Sequence, residues 1–306
     1  MRTRRIGSLD VSVVGLGCNN FGWRIDEAAT ARVVDAAIDA GVTFFDTADV
    51  YGESEVFLGR ALAGRREAVV LATKFGATGK AGAADVHAAV DNSLRRLQTD
   101  RIDLLQLHTP HASIPIAETL GALQDAVRAG KVREIGCSNF SLDQLREAHA
   151  AAAGRVGFVS VQNELNVLHR DAEKDVLPEC DRLGVAFLPY FPLANGLLTG
   201  KYRRDRPAPT ETRLTSGPLA SRLTDDSRER ADRLAAFAES RGHTLLELAI
   251  SWLLSAPVIA SVIAGATSPE QVQANVKAAG WQLSGDETDG IERAFAGIEP
   301  AKGLGP

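Results

Sequence analysis

Apolar and polar residues follow two periodic patterns along the chain. Short runs rich in valine, isoleucine, leucine and phenylalanine, typical of buried strands, alternate with longer segments in which apolar residues recur at helical spacing. The predicted strands lie at residues 14–17, 43–46, 69–74, 103–108, 132–137, 158–162, 185–190 and 258–263. The predicted helices between them lie at residues 27–40, 53–63, 84–97, 116–129, 142–152, 173–183 and 268–279. Eight such units predict an α/β fold, a (β/α)8 barrel, in preference to a doubly wound sheet.

Three features depart from this alternation of strands and helices. An N-terminal β-hairpin is predicted, with arms near residues 4–6 and 11–13 joined through Gly7 and Ser8. Residues 201–226 form a polar stretch that is too long for a simple connection, which predicts a functional loop. Extra helices near the C-terminus are predicted at residues 227–241, 244–254 and 286–296, with a frayed end after Glu299. We expect a single domain spanning residues 1–306.

Charge and composition exclude several classes of protein. A net charge of −5 and a pI near 5.7 argue against nucleic acid or an anionic membrane as a partner. No apolar stretch follows the basic residues 2–5 as in a signal peptide, and no run reaches the length of a membrane span. Three scattered cysteines without CxxC spacing predict neither a disulfide framework nor a zinc site. We therefore expect a cytoplasmic protein without a metal.

Ionisable side chains end three consecutive predicted strands. Asp46, Lys74 and His108 stand at these ends, and Tyr51 lies on the loop that follows the first of them. One such residue alone commonly marks the start of a solvated loop, and a single histidine is more often a rim residue. In a barrel, however, all of these strand ends meet on the face where active sites are built. Four complementary residue types on adjacent units therefore predict a catalytic cluster.

This set of residues suits proton delivery to a carbonyl oxygen. A free tyrosine has a pKa of about 10, too high for easy proton exchange near neutrality. A lysine ammonium about 4 Å away contributes on the order of 4 kcal/mol of gross attraction to the phenolate at an effective dielectric near 20. That attraction corresponds to roughly three pKa units before desolvation opposes it. We expect Asp46 to hold Lys74 charged, and His108 to orient the substrate oxygen.

The same residues lie in motifs that resemble those of the aldo-keto reductases, (β/α)8-barrel enzymes that depend on nicotinamide cofactors. These motifs are Gly15-Leu-Gly, FFDTADVYG, LATK, DLLQLH, GCSNF, VQNELN, PYFPL with GLLTGKY, and AGATSPEQ. They occur in order across essentially the whole chain, and their spacing most resembles the branch that includes potassium-channel β subunits and bacterial oxidoreductases. The resemblance implies that Asp46, Tyr51, Lys74 and His108 form the catalytic tetrad.

The resemblance also implies where a dinucleotide binds, since the chain has no strand–GxGxxG–helix fingerprint. Ser138, Asn139 and Gln162 are implied to bind the nicotinamide carboxamide, and Tyr190 to stack on the ring. The other implied cofactor contacts are Leu193, Asn195 and Gly196 at the pyrophosphate, Lys201 and Arg213 at phosphate, Gly265, Thr267 and Gln271 at the 2′-phosphate, and Asn275 at the adenine.

Two departures from the family pattern affect these expectations. Many family members carry lysine or arginine around Gly265 and Gln271, whereas this chain has neither there. NADP(H) is the expected cofactor, with NAD(H) as the alternative. Phe191 replaces the usual serine after Tyr190, which removes one contact to the pyrophosphate.

The resemblance implies a small aldehyde or ketone as substrate. Trp23 and His111 are candidates for the pocket wall, although Trp23 could equally plug the barrel. The expected function is reversible, NAD(P)H-dependent reduction of the carbonyl group, with Tyr51 as the general acid and base. One alternative is a regulatory subunit that binds the cofactor with little turnover, and another is a metal-dependent barrel hydrolase. The HxxH pattern at residues 108–111 lies at a strand end rather than on a helix, which disfavours a metal site. The sequence favours no particular oligomeric state.

Overall fold

The structure is a computed structural model that describes residues 1–295. It begins with the predicted hairpin, formed by antiparallel strands β1 (Thr3–Ile6) and β2 (Leu9–Ser12). Only Gly7 and Ser8 separate the strands, so the second arm starts earlier than the apolar pattern indicated. Its apolar side chains pack against the interior of the strands that follow; the buried residues of this cluster include Ile6, Leu9, Val11, Phe44, Ala72, Leu104 and Leu188.

Eight parallel strands form the barrel and confirm the predicted fold class. They are β3 (Val14–Gly17), β4 (Phe44–Asp46), β5 (Val70–Phe75), β6 (Ile102–Leu107), β7 (Val132–Ser138), β8 (Ser160–Glu164), β9 (Ala186–Tyr190) and β10 (Val262–Gly265). The order β10-β3-β4-β5-β6-β7-β8-β9 follows the chain around the ring. Between β9 and β10 the ring is joined by hydrogen bonds from Phe187 N to Val258 O (2.8 Å) and from Ala260 N to Phe187 O (3.1 Å).

Helices surround the barrel at the predicted places. They are α1 (Glu27–Asp39), α2 (Ser54–Ala61), α3 (Ala83–Leu97), α4 (Ile116–Arg128), α5 (Leu142–Ala152), α6 (Val176–Leu183), α7 (Asp225–Glu239), α8 (Leu245–Ser255), α9 (Pro269–Ala278) and α10 (Gly285–Phe295). Ser141 begins α5 with a reciprocal capping box, because its side chain accepts from Gln144 N while Gln144 Oε1 accepts from Ser141 N. The predicted end of the last helix at residue 296 and the predicted frayed end after Glu299 lie outside the described residues.

Two boundaries differ from the sequence prediction by three residues or more. The last barrel strand begins at Val262 rather than at residue 258, because residues 258 and 260 bond to Phe187 of β9 and the ladder with β3 starts only at Val262. Helix α6 begins at Val176, after a short 3-10 turn over Asp171–Glu173. Among the described helices, none combines the length and the apolar character needed to cross a membrane.

The connection between β9 and α7, residues 191–224, is the long loop predicted from the polar stretch, and we call it the β9–α7 segment. It contains short 3-10 helices over Ala194–Thr199 and Ala220–Arg222. Arg213 reaches from this segment to the loop after β3, where it donates to Asn19 Oδ1 (2.8 Å) and Asn20 Oδ1 (2.7 Å). The segment therefore lies across the carboxyl end of the barrel, above the predicted catalytic residues.

Candidate active site

A buried ion pair lies at the centre of the carboxyl face. Lys74 Nζ lies 2.5 Å from Asp46 Oδ2, and the two side chains are only 1% and 4% exposed. Lys74 also donates to the carbonyl oxygen of Thr47 (3.0 Å). Asp46 Oδ1 accepts from Gln106 Nε2 and Gln162 Nε2, both at 3.0 Å. Both buried charges are thus paired and hydrogen-bonded, which burial requires.

Tyr51 and His108 flank this pair, so the structure brings all four predicted catalytic residues together. Lys74 Nζ lies 5.3 Å from the centroid of the Tyr51 ring. The Tyr51 ring meets the His108 ring edge to face, with centroids 5.8 Å apart and an angle of 84° between the planes. Tyr51 is presented by a tight turn after β4, in which its amide donates to Ala48 O.

The net pKa shift of Tyr51 differs from the sequence expectation, in which Lys74 lowers the pKa of the phenol. Burial raises the pKa of Tyr51, and the nearby Lys74 ammonium lowers it by less, so the net shift is upward. Burial alone would lower the pKa of Lys74, but Asp46 and Tyr51 raise it by more, so the net shift is upward. Tyr51 is therefore held protonated, and Lys74 is held as a cation, at neutral pH.

His108 is held neutral. Burial and the adjacent Lys74 lower its pKa to about 4, against the opposing effect of Asp46. Its Nδ1 is buried and has no hydrogen-bond partner within residues 1–295. A neutral imidazole keeps one N–H donor, so His108 can donate to a carbonyl oxygen without adding a second cation beside Lys74.

The residues implied to hold the nicotinamide lie next to this cluster. Ser138 Oγ donates to the carbonyl oxygen of Gln162 (2.7 Å). Asn139 Nδ2 donates to the carbonyl oxygen of His108 (2.9 Å), and Asn139 Oδ1 accepts from Tyr190 Oη (3.0 Å). Asn139 thus links His108, which follows β6, to Tyr190 at the end of β9.

The start of the β9–α7 segment carries unusual backbone and an unpaired buried amide. Phe191, Ala194 and Asn195 all have positive φ angles, of 49°, 46° and 59°, although none is glycine. Left-handed backbone costs ~1–2 kcal/mol for an ordinary residue and is concentrated at functional sites. Asn195 is only 8% exposed, and within residues 1–295 neither Nδ2 nor Oδ1 has a hydrogen-bond partner. A ligand with polar groups at this position would satisfy that amide.

Three cations gather further along the same face. Burial lowers the pKa of Lys201, and so do the neighbouring guanidinium groups of Arg24 and Arg213. The pKa of Arg213 is lowered by burial and by Arg24. Within residues 1–295 no carboxylate pairs with any of the three. Arg24 was not predicted from the sequence; its place directly after Trp23, on the loop after β3, was the available signal.

The residues implied to bind the adenosine end lie where β10 leads into α9. Gly265 ends β10, and Thr267 donates to Gln271 Oε1 through both its amide (2.9 Å) and its hydroxyl (3.2 Å). Ser268 stands at the N-cap of α9 without a side-chain cap, and Asn275 is buried two turns into the helix. The positive end of a helix dipole favours phosphate, which fits the implied role of this turn, although Pro269 has no amide to donate and Glu270 follows it.

The two candidates for the pocket wall differ in their surroundings. Trp23 is 70% exposed, so it does not plug the barrel. Its Nε1 lies so near Gly52 that a Cβ added there would be 2.4 Å away, so a larger residue at position 52 would displace the indole. His111 is exposed, pairs with Ser113 Oγ (2.8 Å) and lies against Gly79. Trp23 thus stands beside the loop that carries Tyr51, whereas His111 lies on the loop after β6, against the loop after β5.

Gln106 and the Glu164–Arg222 pair were not predicted as site residues. Gln106 was detectable as a polar residue within an apolar strand, in the run LLQLH. Arg222 Nη1 lies 2.8 Å from Glu164 Oε1, but the two residues are 58 positions apart, and no local pattern joins them. In the described part of the chain, no group of three or more histidine, cysteine or acidic residues is arranged to hold a metal ion.

Comparison with known proteins places this chain in one family. The model of the aldo/keto reductase family matches residues 13–295. The chain is 33% identical over 300 residues to Aldo-keto reductase YhdN of Bacillus subtilis (strain 168), covering 92% of this chain and 89% of that protein. It is 35% identical over 292 residues to the Uncharacterized oxidoreductase YrpG of the same organism, covering 88% of each. Probable aldo-keto reductase 1 of Glycine max is 33% identical over 291 residues, covering 90% of this chain and 83% of that protein.

The chain belongs to the aldo/keto reductase family, which confirms the resemblance found in the sequence. The family supports an oxidoreductase that acts on small carbonyl compounds and uses a nicotinamide cofactor.

Proposed function

We propose that this protein reduces aldehydes or ketones to alcohols with NADPH as the preferred hydride donor, and that Tyr51 is the general acid. The observation that carries the proposal is the buried, fully hydrogen-bonded Lys74–Asp46 pair, with Tyr51 and His108 against it. A bound nicotinamide dinucleotide would supply the hydride that adds to the carbonyl carbon.

The protein's own residues supply the proton and hold the negative charge that develops on oxygen. Tyr51 keeps its proton at neutral pH until the carbonyl oxygen becomes basic, and then donates it. Lys74 stabilises the phenolate that remains, because its ammonium is fixed by Asp46 beside the ring. The neutral His108 donates a hydrogen bond to the same oxygen and orients it. In alcohol oxidation the phenolate takes the proton back.

Three features of the chain fit a dinucleotide along the barrel mouth. Asn195 offers an unpartnered buried amide, and Arg24, Lys201 and Arg213 offer positive charge without carboxylate partners in residues 1–295. The N-terminus of α9 has no side-chain cap, so the positive end of its dipole is available to phosphate. The cations would bind the phosphates, Asn195 the adjoining pyrophosphate, and Tyr190 would stack on the nicotinamide. The preference for NADPH rests on the positive charge of Lys201 and Arg213 together with the hydroxyl of Thr267 at the implied position of the 2′-phosphate.

The decisive variant is Tyr51→Phe. It removes the proton donor and keeps the ring, so we expect kcat for a simple aromatic aldehyde to fall by about 10²–10⁴-fold. The affinity for NADPH, followed by fluorescence titration, is expected to stay within about twofold, since the hydroxyl makes no contact needed for cofactor binding.

Tyr202→Phe is the matched control. Tyr202 is buried, and its hydroxyl bonds Thr212 Oγ1 (2.7 Å) in the β9–α7 segment, away from the ion pair. This variant should keep nearly full turnover. A Tyr51→Phe protein with kcat within tenfold of wild type would exclude the proton-donor role. Tight binding of NADPH by the wild type without repeated turnover on a panel of carbonyls would favour the regulatory subunit instead.

A further inference from the structure

Phe191 directly follows Tyr190 where β9 ends, and its backbone is held in an unfavourable conformation. Its φ of 49° lies in the left-handed region, which a bulky residue keeps only when its surroundings impose it. The carbonyl oxygen of Phe191 accepts from Asn166 Nδ2 (3.1 Å). Asn166 is itself buried and fixed, because its Oδ1 accepts from the amides of Leu168 and His169, both at 3.0 Å. The backbone of Phe191 is thus anchored to the loop after β8.

The ring of Phe191 is held by an arginine from the far end of the β9–α7 segment. The guanidinium carbon of Arg222 lies 5.4 Å from the centroid of the Phe191 ring, within the range of a cation–π contact. Arg222 is fixed by Glu164, with Nη1–Oε1 at 2.8 Å and Nη2–Oε2 at 3.4 Å. Glu164 ends β8 and is paired with Tyr190 in the β8–β9 ladder. The salt bridge therefore lies directly beside the end of β9.

Phe191 in turn contacts the ring of Tyr190. The two rings meet edge to face, with centroids 5.1 Å apart and an angle of 88° between the planes. At its other end, the hydroxyl of Tyr190 donates to Asn139 Oδ1 (3.0 Å). The Tyr190 ring is therefore fixed at its tip by Asn139 and on its flank by Phe191.

We propose that Arg222, held by Glu164 and acting through Phe191, is a positioning residue that sets the orientation of Tyr190 against the nicotinamide ring of the cofactor. This inference rests on the proposed function, in which Tyr190 stacks on that ring. It assigns a role to Phe191, which replaces the serine that is usual in the family. Phenylalanine at this position lacks the serine's contact to the pyrophosphate, but its ring provides the surface through which Arg222 acts on Tyr190.

The test separates the nicotinamide half of the cofactor from the rest. Because Arg222 acts only through Tyr190, Arg222→Ala should weaken binding of NADPH about fivefold, the size expected of one cation–π contact. Binding of 2′-phospho-ADP-ribose, which lacks the nicotinamide, should not change. Both affinities are measured by isothermal titration on the full-length protein. Arg222→Lys keeps the charge facing Glu164 but lacks the planar guanidinium, so its affinity for NADPH should fall between those of Arg222→Ala and wild type.

Three further variants distinguish a selective effect on the nicotinamide from a general loss of structure. Glu164→Gln removes the charge that holds Arg222 while keeping the side-chain shape, and it should reproduce the selective loss. Phe191→Leu removes the ring, so adding Arg222→Ala to it should cost nothing more. Arg204→Ala is the control from the same segment, since Arg204 pairs with Glu229 (3.1 Å) away from β9, and it should bind both ligands like wild type.

Three results would overturn the inference. They are equal weakening of both ligands by Arg222→Ala, unchanged binding of NADPH in Arg222→Ala and Glu164→Gln, and additive losses in the double variant. Failure of the proposed function is distinguishable, because the wild-type protein would then either bind no nicotinamide dinucleotide or bind it without repeated turnover of a carbonyl compound. If the wild type prefers NADH, the same comparison uses NADH and ADP-ribose.

Discussion

The two halves of the candidate site are built in opposite ways. At the ends of β4, β5 and β6, the charges are buried, paired and hydrogen-bonded, as in the contact between Lys74 and Asp46. In the β9–α7 segment and the loop facing it, Arg24, Lys201 and Arg213 repel one another, and Asn195 is unpaired. The Lys74–Asp46 pair is fully hydrogen-bonded in the free protein, whereas the second region has polar groups that a ligand would satisfy.

This difference separates catalysis from binding in physical terms. Regular strands hold Lys74 and Asp46 in fixed positions, so the groups that stabilise charge need no rearrangement during the reaction. The β9–α7 segment instead maintains left-handed residues and neighbouring like charges, which destabilise the free protein slightly. Removing a charge should therefore have opposite consequences for stability in the two regions.

The largest effect is expected from Lys74→Met. The variant leaves Asp46 buried without its cation, so we expect the free energy of unfolding to fall by about 3–5 kcal/mol. Turnover should also fall at least as far as in Tyr51→Phe, because the phenolate loses its neighbouring charge. Chemical denaturation followed by circular dichroism measures the first effect, and steady-state kinetics the second.

The double variant Lys74→Met/Asp46→Asn sharpens this prediction. Removing both charges relieves the unpaired carboxylate, so most of the lost stability should return while turnover stays low. If Lys74→Met alone is as stable as wild type, the ion pair does not hold the strand ends together, and the contrast between the two regions is wrong.

The strand-end cluster could be predicted from the sequence because its geometry is a property of the fold. Once the apolar runs define parallel strands, the residue that ends each run must lie at one face of the barrel. Asp46, Lys74 and His108 each end such a run, and the structure brings them together. The net pKa of Tyr51 could not be predicted, because it depends on how far burial outweighs the attraction of Lys74.

The contacts of the β9–α7 segment could not be predicted in the same way. Arg213 meets Asn19 and Asn20 across more than 190 positions, and Arg222 meets Glu164 across 58. Irregular backbone with non-glycine residues at positive φ sets these contacts, and no periodic pattern encodes it. Lys201 and Arg213 were identified only through the family resemblance, and Arg24 only in the structure.

An intermediate effect is expected from Arg24→Ala. One cation fewer should weaken binding of NADPH about fivefold, and raising the salt concentration should reduce this difference. The melting temperature of the free protein should not fall, because the variant relieves the repulsion of Arg24 with Lys201 and Arg213. Weaker binding without a loss of stability is the reverse of the result expected for Lys74→Met.

Arg60→Ala provides the comparison for an exposed arginine outside the site. Arg60 Nη1 pairs with Glu27 Oε2 at 2.8 Å on the surface of α2, and its loss should leave affinity for NADPH unchanged. A drop in melting temperature for Arg24→Ala larger than that for Arg60→Ala would mean that Arg24 is structural.

The smallest effect concerns Asp49, which does not follow the pattern of the strand-end region. It lies between Asp46 and Tyr51 in the chain, and its amide donates to Lys74 O (3.0 Å). Its Oδ1 is buried without a partner in residues 1–295. Burial and repulsion from Glu55 raise its pKa to about 6, although Arg96 lowers it in part. It is therefore a carboxylate whose ionisation the fold opposes.

The pH dependence of Asp49→Asn tests this interpretation. An unfolded aspartate has a pKa of about 3.9, so between pH 4 and 6 the folded wild type holds more protons than the unfolded chain. The contribution of Asp49 to stability is therefore lost as the pH rises through this window. Asparagine resembles the protonated form, so the melting temperature of the variant minus that of wild type should grow from pH 4 to 6 and then level off. His108, with a folded pKa of about 4, shifts both proteins alike and cancels in the difference. A difference that is constant, or that shrinks as the pH rises, would mean that Asp49 ionises freely and that the charges at the strand ends are matched throughout.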